Sequence, residues 1–243
     1  MTELRLLPLL GLPEVREGDD LAELVTGAVD VADRDVVVLA QKIVSKAEGR
    51  VVALDGIEPS ARAREIARPD EDARRIEVIL REAARVVRIR ASLVIAQTRH
   101  GFTCASAGVD TSNAPAPGTV VLLPVDPDAS AARIRGRVRE LTGRDVGVVV
   151  SDSFGRPWRQ GTIDVAIGAA GIEVIRDLRG VRDRAGYELQ ATRIATADEI
   201  ASAAELVMGK VDGVPGAVVR GLSVAGDQQA TQLVIPPERD LFR

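Results

Sequence analysis

GVVVSDSFGRPWRQG, residues 147–161, opens as an apolar run and closes as something else. Val148, Val149 and Val150 lead into Ser151, Asp152 and Ser153, and two arginines bracket Trp158, the only tryptophan in the chain. A short, continuous run of β-branched residues predicts a strand buried on both faces. The carboxylate between two hydroxyls at its end admits two readings. One is a plain turn, because Asp and Ser side chains bond their own backbone in turns. The other is an oxygen-donor site for a metal or phosphate at the strand's carboxyl end.

Segments on either side place this strand in a mixed series. Residues 4–10 predict a first strand closed by GLPE, and REGDDLAELVTGAV predicts a helix with acids at its positive end. DVVVLA is a second buried strand, and QKIVSKAEGRVV continues from it. Residues 60–90, SARAREIARPDEDARRIEVILREAARVVRIR, carry the clearest helical pattern. Ile76, Ile79, Leu80, Ala83 and Val87 share one face, and Glu77 and Arg81 form an i,i+4 pair. Interleaved acids mark these arginines as a solvated helix face rather than a nucleic-acid patch. SLVIAQT predicts a strand, RHGFTCASAGVDTSNAPAPG a long polar loop, and TVVLLPV a further strand. DPDASAARIRGRVRELTG predicts a helix capped by Asp128 or Ser130. TIDVAIGAAGIEVI predicts a strand or strand pair, ATADEIASAAELVMGK a helix, and GAVVRGL a last strand. Strands and helices alternate unevenly, which points to an α+β protein with a mixed sheet rather than a doubly wound one. Residues 1–243 are expected to form one unit, or two packed lobes.

Composition narrows the function classes. Aromatic residues make up only 2% of the 243, too few for the stacking platforms of single-stranded nucleic-acid binders. Thirty-two basic and 36 acidic residues leave a net charge of −4 with no segregated tail, so neither nucleic acid nor an anionic membrane is an expected partner. A single cysteine excludes an intrachain disulfide and suits a reducing compartment. Pro8 and Pro13 interrupt the apolar N-terminus, no small-residue cleavage site follows, and no apolar run reaches the ~20 residues of a membrane span. These features together predict a cytoplasmic protein.

The usual nucleotide fingerprints are missing. There is no P-loop, since Gly209-Lys210 lacks the upstream glycine, and no Gly-x-Gly-x-x-Gly follows a strand, so the fold is neither P-loop nor Rossmann. His100 and Cys104 invite a nucleophile–base reading, set against a structural one, and a single histidine leaves no His/Cys zinc site. Oxygen donors remain. Asp110 in AGVDTSN and Asp152 with Ser153 in SDSFGRPW are the types that Mg2+ and Mn2+ select, and the same residues also serve as Asx-turn and turn caps. Lys42 and Lys46, one helical turn apart, could hold phosphate as point charges, set against a solvated helix face as the commoner arrangement of lysines.

Taken together, LPLLGLPEVREGDDL, QKIVSKAEGR, TRHGFTCASAGVDTSN, LLPVDPDASAARIR, SDSFGRPWRQGTIDVAIGAAGI, ADEIASAAELVMGK and PPERDLFR resemble the coenzyme F420-0:γ-glutamyl ligases. Bacterial members are often fused to a nitroreductase-like domain, and this chain resembles the stand-alone ligase. The resemblance implies the family's γ-glutamyl ligase-like fold and GTP-dependent addition of L-glutamate to a deazaflavin coenzyme through an acyl phosphate. It implies Mg2+ or Mn2+, with K+ as a further ion, and a homodimer; apart from the resemblance, aliphatic strands such as TVVLLPV are candidates to pair across copies. Carried over by motif, Leu12, Pro13, Glu14 and Val15 match the first nucleotide-binding turn, Gln41 and Lys46 the second, and Asn113 the third. Met208, Gly209, Lys210, Val211, Asp212 and Gly213 match a further nucleotide and metal loop. Lys210 stands where many relatives carry glutamate or glutamine. An ammonium cannot ligate a cation, so its implied task is to neutralise phosphate. Asp110, Asp152 and Ser153 match the metal positions, with Ser153 standing where a threonine is common and keeping its hydroxyl. Lys46, Asp110 and Asp152 are the implied catalytic set. Arg99, Arg156, Trp158 and Arg159 are candidates to hold the substrate phosphate or the glutamate carboxylate, against ordinary packing and ion pairing. Two other classes stay open: a metal-dependent phosphohydrolase or kinase on the same two carboxylates, and a non-catalytic nucleotide-binding module.

Overall fold

The computed structural model describes residues 3–241. Phe242 and Arg243, the end of PPERDLFR, lie outside the described residues. The first half of the chain forms β1 (Arg5–Pro8), α1 (Leu21–Ala28), β2 (Val36–Ala40), α2 (Gln41–Ala47), β3 (Val51–Ala53), α3 (Ala61–Ile66), α4 (Ala73–Glu82), β4 (Ala83–Arg90), β5 (Leu93–Thr98) and β6 (Thr103–Ala105). The second half forms β7 (Thr119–Val121), α5 (Pro127–Thr142), β8 (Gly147–Arg156), β9 (Arg159–Ala170), β10 (Arg176–Asp177), β11 (Arg193–Ile194), α6 (Thr196–Met208) and β12 (Gly216–Arg220). This is an α+β architecture with a mixed sheet.

Its centre is a five-stranded sheet in the order β1-β12-β2-β8-β9. β2 and β8 run parallel and every other neighbouring pair is antiparallel. Alternation of side chains along each strand sends Val37, Leu39, Val148 and Val150 to one face, where they pack with Val25 of α1 and Ile134 and Val138 of α5. Val36, Val38, Val149 and Val219 go to the other face, against Ile200, Ala201 and Ala204 of α6. Both faces are covered, which is why VVVL and GVVV are apolar at every position. A separate cluster joins Ile76 and Ile79 of α4 to Ala63 and Ile66 of α3, Val94 and Ala96 of β5, and Val120. Among the described residues no helix is long and apolar enough to cross a membrane.

Four expectations are corrected. The strand DVGVVVSD does not end at Asp152: β8 runs to Arg156, pairing with β9 as far as Arg156↔Arg159, with Pro157 and Trp158 at the turn. The pairing energy of a long hairpin outweighs the turn preference of Asp and Ser. Residues 83–90 form a strand, not the end of the 60–90 helix. Helix α4 stops at Glu82, and β4 turns through Ala91, whose φ is +51°, to pair with β5. Val86, Val87 and Ile89 are more restricted at χ1 in a helix than in a ladder, where they pack on the pleated surface, so the partner strand decides the outcome. Helix α5 is capped by Asp126, which accepts from Ala129 N at 3.0 Å. Asp128 is instead buried and accepts from Ala169 N and Ala230 N, each at 2.8 Å, tying α5 to β9 and the C-terminal segment. TVVLLPV pairs with β3, and Val120, Val121, Leu122 and Leu123 are buried within the chain, so that strand is not free to pair across copies.

Candidate active site

The parallel pair β2 and β8 stays in register to Ala40↔Ser151, where β2 reaches its carboxyl end and β8 runs on to Arg156. Ligand crevices of α/β sheets open at such ends. Here a cavity of about 700 Å³ opens, walled by six distant stretches of chain. Leu12, Pro13, Glu14 and Val15 line it, as do Gln41, Lys42 and Lys46 of α2, Asn113, and Ser151, Asp152 and Ser153 of β8. The loop after α6 adds Met208, Gly209, Lys210, Val211 and Gly213. Asp212 does not line the cavity. Its carboxylate folds back against Gly209, which a side chain at 209 would strike.

Asp110 stands just behind this wall. It is delivered by a turn in which Ser106, Ala107 and Gly108 have φ of +54°, +51° and +74°, a conformation that costs L-residues roughly 1–2 kcal/mol each. A backbone bridge to Val121 then fixes it, with Asp110 N–Val121 O at 3.0 Å and Val121 N–Asp110 O at 2.8 Å. Lys42 Nζ reaches Asp110 Oδ2 at 2.5 Å and Ser112 Oγ at 2.6 Å. Asp110 Oδ1 also accepts from Ser112 N at 2.8 Å, which is the Asx turn of the structural reading. Burial pushes the Asp110 carboxyl upward, but Lys42 and Ser112 outweigh it and hold the group below the usual carboxylate range.

Asp152 has the opposite balance. It accepts from Ser153 N at 2.9 Å, and among the described residues it forms no ion pair. Burial, with the nearby charges of Asp110 and Asp164, pushes its carboxyl up to about 7 against the backbone bond of Ser153 and the charge of Lys42. Ser151 does more than finish the strand. Its hydroxyl and that of Ser153 donate to the two oxygens of Asp164, at 2.8 and 2.7 Å. Asp164 lies opposite Ser153 on β9 and also lines the cavity.

Two further groups face the cavity with unspent capacity. Gln41 is 1% exposed, and its Oε1 accepts from Ser45 Oγ at 2.9 Å. Its Nε2 has no partner among the described residues, the state of a buried donor that a ligand would complete. Lys46 is buried and donates to Glu14 Oε1 at 2.5 Å.

The remaining candidates sit elsewhere. Arg99 donates to the Arg81 carbonyl at 2.9 Å, and Arg156 to the Gln160 carbonyl at 3.4 Å. Trp158 is 83% exposed at the tip of the β8–β9 hairpin, in neither the core nor the cavity wall, and Arg159 is exposed beside it. His100 directs Nε2 at the carbonyls of Pro124 (2.9 Å) and Val125 (3.1 Å) and stacks on Phe102, so it clamps a loop. Burial, with the charge of Asp152, pushes the Cys104 thiol up to about 12, which removes the thiolate a nucleophile needs.

The donor set fits a hard cation. Asp110, Asp152 and Ser153 offer only oxygen, and Lys42 already holds a positive charge between Asp110 and Ser112. No group of three or more His, Cys, Asp or Glu among the described residues could hold a metal unaided. Magnesium typically takes one or two carboxylates and completes its shell with water and phosphate. Sequence reasoning missed Asp164. Its one signal was a lone carboxylate in the otherwise apolar TIDVAIG, and only the register with β8 shows what it faces.

A family model described as F420-0:Gamma-glutamyl ligase matches residues 10–221. A Coenzyme F420:L-glutamate ligase of Methanopyrus kandleri is 49% identical over 247 residues, covering 99% of this chain and 98% of that protein. Proteins of the same description from Methanothermobacter thermautotrophicus and Haloarcula marismortui are 43% and 44% identical. They cover 98% and 96% of this chain and 98% and 93% of their own lengths.

Proposed function

The chain belongs to the F420-0:γ-glutamyl ligase family, and from that premise we propose that it joins L-glutamate to the deazaflavin coenzyme F420-0 at the expense of GTP. The observation that carries this reading is the cavity at the end of β2 beside residues 151–153 of β8, which gathers oxygen donors, three lysines and an amide donor unpartnered among the described residues.

A carboxylate does not accept an amine at neutral pH, because it is resonance-stabilised and has no leaving group. In the proposed reaction the γ-phosphoryl group of GTP passes to an oxygen of the acceptor carboxylate, releasing GDP. The amine nitrogen of glutamate then attacks the acyl carbon, phosphate leaves with the carbon–oxygen bond, and the nitrogen loses a proton to solvent. Repetition on the new terminal glutamate gives γ-linked residues. Phosphoryl transfer of this kind depends on positioning and charge balance more than on a protein nucleophile. A buried, neutral Cys104 is consistent with that.

Asp110, Asp152 and Ser153 would hold Mg2+ or Mn2+. When bound, such an ion supplies charge neutralisation and Lewis-acid polarisation at the transferring group. Lys46, exchanged from Glu14 to phosphate, would balance charge at the nucleotide, and Lys42 is placed to do the same once released from Asp110. Gln41 Nε2 would donate to the nucleotide, and Lys210 would offset phosphate charge from the α6 loop. A homodimer is part of the same reading, with the exposed Val86, Val87 and Leu93 of the β4–β5 hairpin as a face a second copy would cover.

The test is mass spectrometry of a reaction holding the chain, GTP, MgCl2 or MnCl2, L-glutamate and F420-0. One glutamyl increment per turnover, with GDP release dependent on both glutamate and acceptor, is the expected result. GDP release indifferent to glutamate would assign a phosphohydrolase or kinase instead.

A further inference from the structure

Ser151 and Ser153 stand two residues apart on β8, so their side chains share one face of the sheet. Both commit their hydroxyl protons to one carboxylate, that of Asp164, at 2.8 and 2.7 Å. Asp164 is 5% exposed and its backbone is anchored as well, because its carbonyl accepts from Ser202 Oγ of α6 at 2.7 Å. Among the described residues no lysine or arginine forms an ion pair with it. A hydroxyl has one proton to give and two lone pairs to offer. With the proton fixed on Asp164, Ser153 Oγ presents only lone pairs to the cavity it lines. In that state it cannot donate to a phosphate oxygen. It can ligate a cation.

A latch between strands is the competing explanation of Asp164. Yet β8 and β9 are already joined by a ladder from Val148↔Ala170 to Arg156↔Arg159, so their pairing does not depend on this carboxylate. A buried carboxyl group without a basic partner costs stability, and here its two oxygens are spent on the hydroxyls of Ser151 and Ser153. We propose that Asp164 is a positioning residue that fixes the polarity of the Ser153 hydroxyl, making that oxygen a ligand for a divalent cation. The inference rests on the metal-and-nucleotide reading of the cavity given above.

The experiment measures Mn2+ affinity of the whole chain by isothermal titration and by the Mn2+ electron spin resonance signal, with GTP present and no acceptor. Four proteins are compared: the natural chain, Asp164→Val, Ser153→Ala and the double variant. Valine suits a strand, fills the space and offers no acceptor. We expect each single variant to weaken Mn2+ binding by about 10–100-fold, the range seen when partners behind a metal ligand are removed. The double variant should be no weaker than the weaker single one, because both changes act through one oxygen. Multiplying effects would overturn the proposal, as would an Asp164→Val protein that binds Mn2+ as tightly as the natural chain; in both cases the metal reading itself survives. A natural chain that binds no Mn2+ beside GTP overturns that reading and this proposal together. If Asp164→Val does not fold, Asp164→Ala enters the same comparison with the same outcomes.

Discussion

The carboxyl of Asp152 titrates near 7 instead of at its ordinary 3.8, because burial and two neighbouring carboxylates oppose its charge. A pKa raised in the fold means that ionisation destabilises it. The penalty is absent well below pH 4, grows as pH rises through the interval up to about 7, and is complete above it. Asp152→Asn should therefore raise the melting temperature of the metal-free protein at pH 8 by several degrees, about 2 kcal/mol or more, and leave it unchanged at about pH 3. The same change should abolish Mn2+ binding and glutamate ligation. Thermal melts at the two pH values check the sign, and a uniform shift at both would disprove it. Gln41 carries the complementary case of an unused donor. Gln41→Met keeps the volume and removes the amide, and should weaken GTP binding about 5–10-fold with the melting temperature little changed, read by calorimetric titration. Asp152 and Ser153 were legible as oxygen donors because their chemistry is local. Asp164 was not, since its partners come from a strand more than ten residues away in sequence.

At the scale of elements, the turn before Asp110 is the most exacting piece. Gly108 has φ of +74°, and a Cβ there would meet the Leu123 side chain at 2.5 Å. Gly108→Ala should destabilise the chain by about 2–3 kcal/mol and displace Asp110, so that Mn2+ affinity falls even where the protein remains folded. Denaturant melts and metal titration on the same sample separate the two effects. The helix–strand switch at Ala83 shows the limit of periodicity. The i,i+4 pair Glu77–Arg81 forms at 2.9 Å as its spacing predicts, and Ile76 and Ile79 are buried as expected. Seven residues on, the same apolar spacing is overridden, because β5 offers Val86 and Ile89 a ladder that an isolated window cannot reveal. The same effect extended β8 past Asp152 and left Trp158 at a hairpin tip rather than in a wall.

Across the whole molecule, two lysines of the cavity are neutralised by carboxylates of the same chain. Lys42 is paired with Asp110 and Lys46 with Glu14, each at 2.5 Å, so a cation and an anion arriving together can exchange both pairs without stranding a charge. Metal alone must displace Lys42, and nucleotide alone must face Asp110 and Asp152. Mn2+ and GTP should accordingly strengthen each other's binding by equal factors, about 5–150-fold. Lys42→Met should raise the affinity for Mn2+ alone and shrink that factor, and titrations in both orders test the equality. Amino-acid order by itself determined the buried strands, the helices with clear caps, the exclusion of P-loop and Rossmann chemistry, and the oxygen-donor character of Asp110 and Asp152. Each of these follows from a residue and its near neighbours. Only the tertiary structure decided that residues 83–90 pair as a strand, that Asp164 underlies Ser153, and that Arg99, Arg156, Trp158 and Arg159 stand away from the cavity. Those outcomes depend on which strand lies beside which, and strand pairing is settled by contacts between residues far apart in the chain.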